Sequence, residues 1–156
     1  MLKEINPSEL CLNPFERIGK DWCLITAGNK DSFNTMTASW GGVGVLWNKN
    51  AATCYIRPQR YTKEFVDKNE YFTITFFPDG YRDALTLCGR VSGRDHDKPK
   101  EAGITPEFID STVTFKEANL VLVCRKLFAQ KMTEDSFIDK DVLKVNYPNM
   151  DLHTIY

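Results

Sequence analysis

The segment Phe72-Thr73-Ile74-Thr75-Phe76 alternates apolar and polar side chains at every step. A period of two belongs to a strand, and it predicts one with the Phe72, Ile74 and Phe76 face buried and the Thr73 and Thr75 face open, as in a barrel or sandwich wall. β-branched and aromatic residues predict further strands at 22–28 (WCLITAG), 35–40 (TMTASW), 52–56 (ATCYI), 112–115 (TVTF) and 120–128 (LVLVCRKLF), with the alternating segment extending over 71–77. Helical spacing is rarer. In YTKEFVDKNE, Thr62 is placed to cap a helix and Glu64 falls in its first turn, where the helix dipole favours an acid. In DGYRDALTLCG, Tyr81, Ala84, Leu85 and Cys88 recur at i, i+3, i+4 and i+7, and Gly89 supplies a stop. A third helical turn is expected to start at TPEF with Pro106 in its first position. The polar residues around 94–103 read as a long hydrophilic loop within the domain. The pattern is that of a mainly β chain with a few short helices.

One stretch departs from it. In NTMTASWGGVGVLW, small and hydroxylated residues are followed by three glycines in four positions, between Trp40 and Trp47. Glycine weakens a strand interior, so such a run implies close approach by another strand, a partner subunit or a flat ligand.

Composition narrows the class. The 156 residues suit a single domain over 1–156, large enough for a core without staples. Twenty Lys and Arg nearly cancel 21 Asp and Glu, so no global field favours nucleic acid or an acidic membrane surface. The N-terminus MLKEINPSEL lacks the apolar core of a secretory signal, and no apolar run approaches a membrane span. The five cysteines, at 11, 23, 54, 88 and 124, form no CxxC, and only two histidines are available beside them, so no metal site is expected. Three of them lie in apolar runs as buried thiols would, which points to a reducing, cytoplasmic setting.

Candidate chemistry concentrates in three places. Arg57 and Arg60 precede the helix that Thr62 starts. Unpaired N–H groups and guanidinium forks suit a phosphate there, although ordinary surface arginines in a turn fit the residues as well. In SGRDHDKPK, Ser92 and Gly93 permit a tight turn and Arg94 and Lys98 can reach an anion, while Asp95 and Asp97 are able to neutralise the same cations. Asn34, Thr37 and Ser39 carry polar groups along an extended backbone that can read the edge of a heterocycle, with the flat apolar surfaces of Trp40 and Trp47 beside them, although a barrel strand whose packing the glycines relieve fits the residues as well. His96 reads as solvated. His153 suits either a ligand neighbour or a closing strand. No nucleophile or acid–base constellation, GxGxxG or phosphate-binding GxxxxGK[ST] is present, so no catalytic side chain is assigned.

Taken in order, NTMTASWG, RPQRYT, FTITFF and CGRVSGRDHDK resemble the flavin reductase-like family with the FMN-binding split barrel, the flavoredoxin type in particular. The likeness continues more loosely through EANLVLVCRKL to DLHTIY. It implies a six-stranded antiparallel split β-barrel, FMN as cofactor, and a homodimer with the flavin near the subunit interface. It also implies electron transfer through FMN from NAD(P)H or a redox partner protein, the alternative being an FMN-binding module for storage or sensing. By that likeness Asn34, Met36, Thr37, Ala38, Ser39 and Trp40 line the flavin. Arg57, Arg60 and Thr62 surround its phosphate, and Ser92, Gly93 and Lys98 close over it.

Overall fold

A computed structural model describes residues 2–109 and 111–156. A short turn of helix, α1 (Pro14–Glu16), leads through a wider helical turn into β1 (Cys23–Gly28). There follow β2 (Phe33–Ala38), β3 (Gly41–Leu46), β4 (Lys49–Ile56), α2 (Tyr61–Lys68), β5 (Tyr71–Phe76), α3 (Arg82–Arg90) and α4 (Lys98–Ala102). The chain ends with β6 (Pro106–Ile109), β7 (Thr112–Phe115), β8 (Leu120–Arg125), β9 (Gln130–Lys131), α5 (Lys140–Asn146) and β10 (Thr154–Ile155).

The strands form two four-stranded sheets, in the orders β2-β1-β5-β8 and β3-β4-β10-β9, and a separate β6-β7 pair, all antiparallel. The resemblance implies six strands in a barrel. Among the described residues there are ten, and no backbone ladder joins the two larger sheets. The sheets are held instead by side chains. Ile25, Met36, Ala38, Cys54, Ile56, Ile74, Phe76 and Tyr156 belong to one buried cluster drawn from both. The cavity between Ile18, Cys23, Ile25, Cys54, Ile74 and Phe76 measures only about 10 Å³, as in a close-packed core.

The alternation in β5 places its strand correctly and misjudges its polar face. Thr73 and Thr75 are as deeply buried as the residues between them. Strand β7 covers that face, and the hydroxyls are satisfied there: Thr73 Oγ1 donates to the Val113 carbonyl at 2.6 Å, and the Thr75 and Thr114 hydroxyls lie 3.1 Å apart. A polar face can be interior once each donor has a partner.

Other expectations shift for local reasons. Pro106 opens β6 rather than a helix, a strand-start position where its missing N–H costs nothing. The hydrophilic loop contains α4, whose N-cap Asp97 accepts from the Lys100 N–H and whose end is turned by left-handed Gly103. Gly89 lies within α3, one residue before its last. A Cβ there would stand 3.3 Å from Thr37 Cβ, so this glycine brings α3 close against β2. The glycine run forms β3, where the sequence pattern predicts no strand, joined to β4 through Trp47 and Asn48, both at positive φ.

Candidate functional site

A cleft of about 230 Å³ opens beside the end of β2, lined by Met36, Thr37, Ala38, Ser39, Trp40, Tyr55, Arg57, Arg60 and His153. Strand alternation explains part of its wall. In β4, Cys54 and Ile56 turn into the core, so Tyr55 and, past the strand's end, Arg57 face the other way. The last strand brings in the far side, because Thr154 pairs with Ile56 and leaves His153 next to Arg57 and Tyr55.

Seven of the twelve residues expected in the site therefore line one cleft, and five do not. Those five form the packing behind it. Asn34 is buried and donates from Nδ2 to Thr62 Oγ1 at 2.7 Å, a bond between β2 and α2. Thr62 therefore does not cap α2; Arg60 occupies the N-cap position, and the Thr62 hydroxyl holds Asn34 instead. Gly93 packs on that amide so tightly that a Cβ would stand 1.8 Å from Asn34 Oδ1. Ser92 Oγ accepts from the Arg94 N–H within its own turn. Lys98, expected to reach over an anion, is 3% exposed, and its ammonium donates to the Thr35 and Cys88 carbonyls at 2.8 and 2.9 Å. It acts as a strut between β2 and α3. Burial, reinforced by the Arg60 charge, pulls its pKa down to about 8.

The two arginines differ in what they have free. Arg57 Nη1 meets Asp151 Oδ1 at 2.6 Å, its Nη2 donates to the Asn146 carbonyl at 2.9 Å, and its guanidinium lies 4.9 Å from the Tyr147 ring centre. It is a clamp on the C-terminal segment. Arg60 Nη1 donates to the Gly89 carbonyl at 2.9 Å, but its Nη2 is buried and has no partner among the described residues. Burial lowers the Arg60 pKa, yet a guanidinium stays charged. An unpaired buried charged donor costs on the order of 1–3 kcal/mol or more, and no carboxylate among the described residues pairs with it. Among the described residues, no acceptor meets this nitrogen.

The sequence pattern leaves Tyr55 unmarked and His153 open. Tyr55 was legible in principle, because it shares strand parity with Arg57. His153 is 6% exposed, its Nδ1 lies 2.7 Å from the Tyr147 hydroxyl, and its ring centre is 5.4 Å from that of Trp40. Burial first, then the Arg57 charge, lowers its pKa to about 4, so the ring is neutral near pH 7.

The buried thiols are quiet. Burial raises the pKa of Cys23 to about 12 and of Cys88 to about 11, and Cys54 is shifted upward too, so these thiols stay protonated and weakly nucleophilic. Among the described residues, no group of three or more His, Cys, Asp or Glu could hold a metal ion, and no helix is long and apolar enough to cross a membrane.

Residues 15–148 match the model of the flavin reductase like domain. The chain belongs to the flavin reductase-like family. Comparison with the curated proteins gave no match. Among solved structures, the chain is similar to an FMN-binding domain of a flavin reductase-like enzyme from Shewanella baltica OS155 (16% identity, TM-score 0.63, covering 91% of this chain and 69% of that one). It is also similar to the flavoredoxin of Methanosarcina acetivorans (22%, 0.64, 86% and 62%) and to that of Desulfovibrio vulgaris Miyazaki F (18%, 0.65, 99% and 72%). At these identities the likeness establishes the split-barrel fold. The chain spans 62% of the length of the Methanosarcina protein and somewhat more of the other two.

Proposed function

We propose that this family member is an FMN-binding oxidoreductase of the flavin reductase or flavoredoxin type, taking electrons from NAD(P)H or a redox partner protein. The observation that carries the reading is Arg60, a residue of the cleft wall whose Nη2 is buried and has no partner among the described residues. A phosphate monoester supplies what it lacks. The Arg60 and Lys98 charges also repel one another, and a dianion relieves that repulsion. The rest of the lining suits the ring and chain of a flavin. Thr37, Ala38 and Ser39 keep one wall low, and Trp40 and Tyr55 add flat apolar surface. Thus Arg60 holds the phosphate, the end of β2 lies along the cofactor, and Trp40 and His153 exclude water from it.

FMN supplies the redox chemistry, accepting and releasing hydride or single electrons at its ring. The side chains of the cleft bind and orient, and none is assigned as an acid or base. At about 230 Å³ the cleft is smaller than the roughly 300 Å³ at which cofactor pockets begin. A second copy of the chain completes it in this reading. Val45, Leu46 and Trp47 at the tip of the β3-β4 hairpin, with Leu127 and Phe128, are all about half exposed or more and suit a homodimer contact. The test is the visible spectrum of the purified protein with and without added FMN, followed by anaerobic addition of NADH and NADPH. Flavin uptake with bleaching supports a reductase, and uptake without bleaching by either nucleotide supports a carrier or a binding module. A protein that takes up no FMN overturns the reading.

A further inference from the structure

The wall of the cleft opposite β2 holds a group that the phosphate reading does not use. His153 is enclosed by aromatic rings: Trp40 at 5.4 Å, Tyr147 at 5.4 Å and Tyr55 at 6.4 Å between ring centres. Such packing fixes the plane of the imidazole. Its Nδ1 is engaged by the Tyr147 hydroxyl, while its Nε2 makes no hydrogen bond among the described residues. A buried polar residue on a cleft wall with one nitrogen held and the other unused is arranged for something that enters the cleft.

The held nitrogen decides what the other one offers. The Tyr147 hydroxyl has one proton and two acceptors in reach, His153 Nδ1 at 2.7 Å and the thioether Sδ of Met132 at 3.7 Å. Imidazole nitrogen is much the better acceptor, and 2.7 Å is the distance of a strong bond whereas thioether sulfur accepts weakly. The proton therefore lies toward Nδ1, and the ring carries its own proton on Nε2. The charged groups around it keep it neutral rather than doubly protonated. Arg57, clamped above the Tyr147 ring, opposes imidazolium, and Asp151 is already paired with that arginine.

We propose that His153 presents Nε2–H to the cleft as a neutral hydrogen-bond donor for a carbonyl-type acceptor on the ring of the bound ligand, with Tyr147 as the positioning residue that fixes the tautomer. The assignment rests on the flavin reading for the identity of the ligand. It divides the cleft in two: Arg60 reads charge at one place and His153 reads a neutral acceptor at another. The two readings separate by ligand. Loss of the His153 donor weakens riboflavin and FMN by the same factor, whereas loss of Arg60 weakens FMN alone.

The test uses the full chain. Long-range proton–nitrogen correlation spectra of the two histidines report the tautomer directly, without flavin. His153 is expected as the Nε2–H form in the wild type and as a mixture in Tyr147→Phe. In fluorescence titrations, His153→Phe is expected to weaken riboflavin and FMN alike by about five- to tenfold, and His153→Gln, which keeps an N–H donor, to recover most of that. Should His153→Phe fail to fold, Tyr147→Phe keeps the ring in place and is expected to weaken both flavins severalfold. An Nδ1–H tautomer in the wild type, or unchanged riboflavin binding in His153→Phe or Tyr147→Phe, overturns the assignment while the flavin reading stands. A wild type that takes up neither flavin overturns both.

Discussion

Replacing Arg60 by methionine separates what this residue does for the fold from what it does for a ligand. The side chain keeps its apolar length and loses the guanidinium. In the free protein, one contact disappears, the 2.9 Å bond from Nη1 to the Gly89 carbonyl, worth about 0.5–1.5 kcal/mol, and that partly buried carbonyl is left without its side-chain donor. Against that, the buried Nη2 without a partner is removed, and with it a penalty of about 1–3 kcal/mol. Repulsion with Lys98 is relieved as well. On these figures the free variant should lie between about 0.5 kcal/mol less stable and about 2.5 kcal/mol more stable than the wild type.

Ligand binding moves in the opposite direction. A hydrogen bond to a charged group contributes about 1.5–3 kcal/mol, so FMN affinity should fall roughly ten- to a hundredfold, while riboflavin, without the phosphate, loses almost nothing. Urea denaturation of the free proteins and fluorescence titration with both flavins measure the two halves. A free variant destabilised by about 3 kcal/mol or more, with FMN and riboflavin weakened alike, would show that Arg60 is a strut and that the unpaired nitrogen has no ligand.

Three further outcomes are expected. Gly93→Ala drives a Cβ into Asn34 Oδ1, 1.8 Å away, and breaks the 2.7 Å bond from Asn34 to Thr62; urea denaturation should show a loss of about 2–3 kcal/mol, and an unchanged midpoint would mean that the loop yields freely. His153 titrates near 4 when folded, below its ordinary 6.5, so the unfolded chain binds the extra proton first: its contribution is complete above about pH 6.5 and is lost as the pH falls toward 4, by at most about 3 kcal/mol, a slope that His153→Gln should remove from a stability-against-pH series. Trp47→Lys, at the exposed hairpin tip, should leave the chain folded but shift sedimentation toward the monomer and lower FMN occupancy on dilution; sedimentation identical to the wild type would place the subunit contact elsewhere.

How far the fold is legible depends on whether a segment's own pattern decides its state. Strands β1, β2, β4, β5, β7 and β8 announce themselves by β-branched and aromatic residues, because each packs a face on the core. The β3 strand does not, since its glycines, half-buried Val43 and exposed Val45 fit no buried face and only the ladder to β4 makes it a strand. Thr73 and Thr75 read as an open face because sequence alone does not show that β7 folds over them. Gly89 reads as a stop, yet the approach of α3 to Thr37 is what it serves.

The same limit governs the site. Arg57, Arg60 and Lys98 are equivalent in sequence: three cations near turns, each suited to an anion. Their partners separate them. Asp151 and the Asn146 carbonyl, both about ninety residues on from Arg57, occupy its terminal nitrogens; the Thr35 and Cys88 carbonyls hold Lys98. Those pairings are long-range and leave no local signature, so a motif finds the neighbourhood and not the residue that binds. Arg60 is distinguished only by a missing partner, the one property a linear pattern cannot display. If binding follows the unpaired nitrogen, the order of FMN losses on removing each cation is Arg60 first. Arg57 and Lys98 should instead lose stability before they lose selectivity for the phosphate, because removing either strands the groups it now satisfies: Asp151 in the one case, two backbone carbonyls in the other.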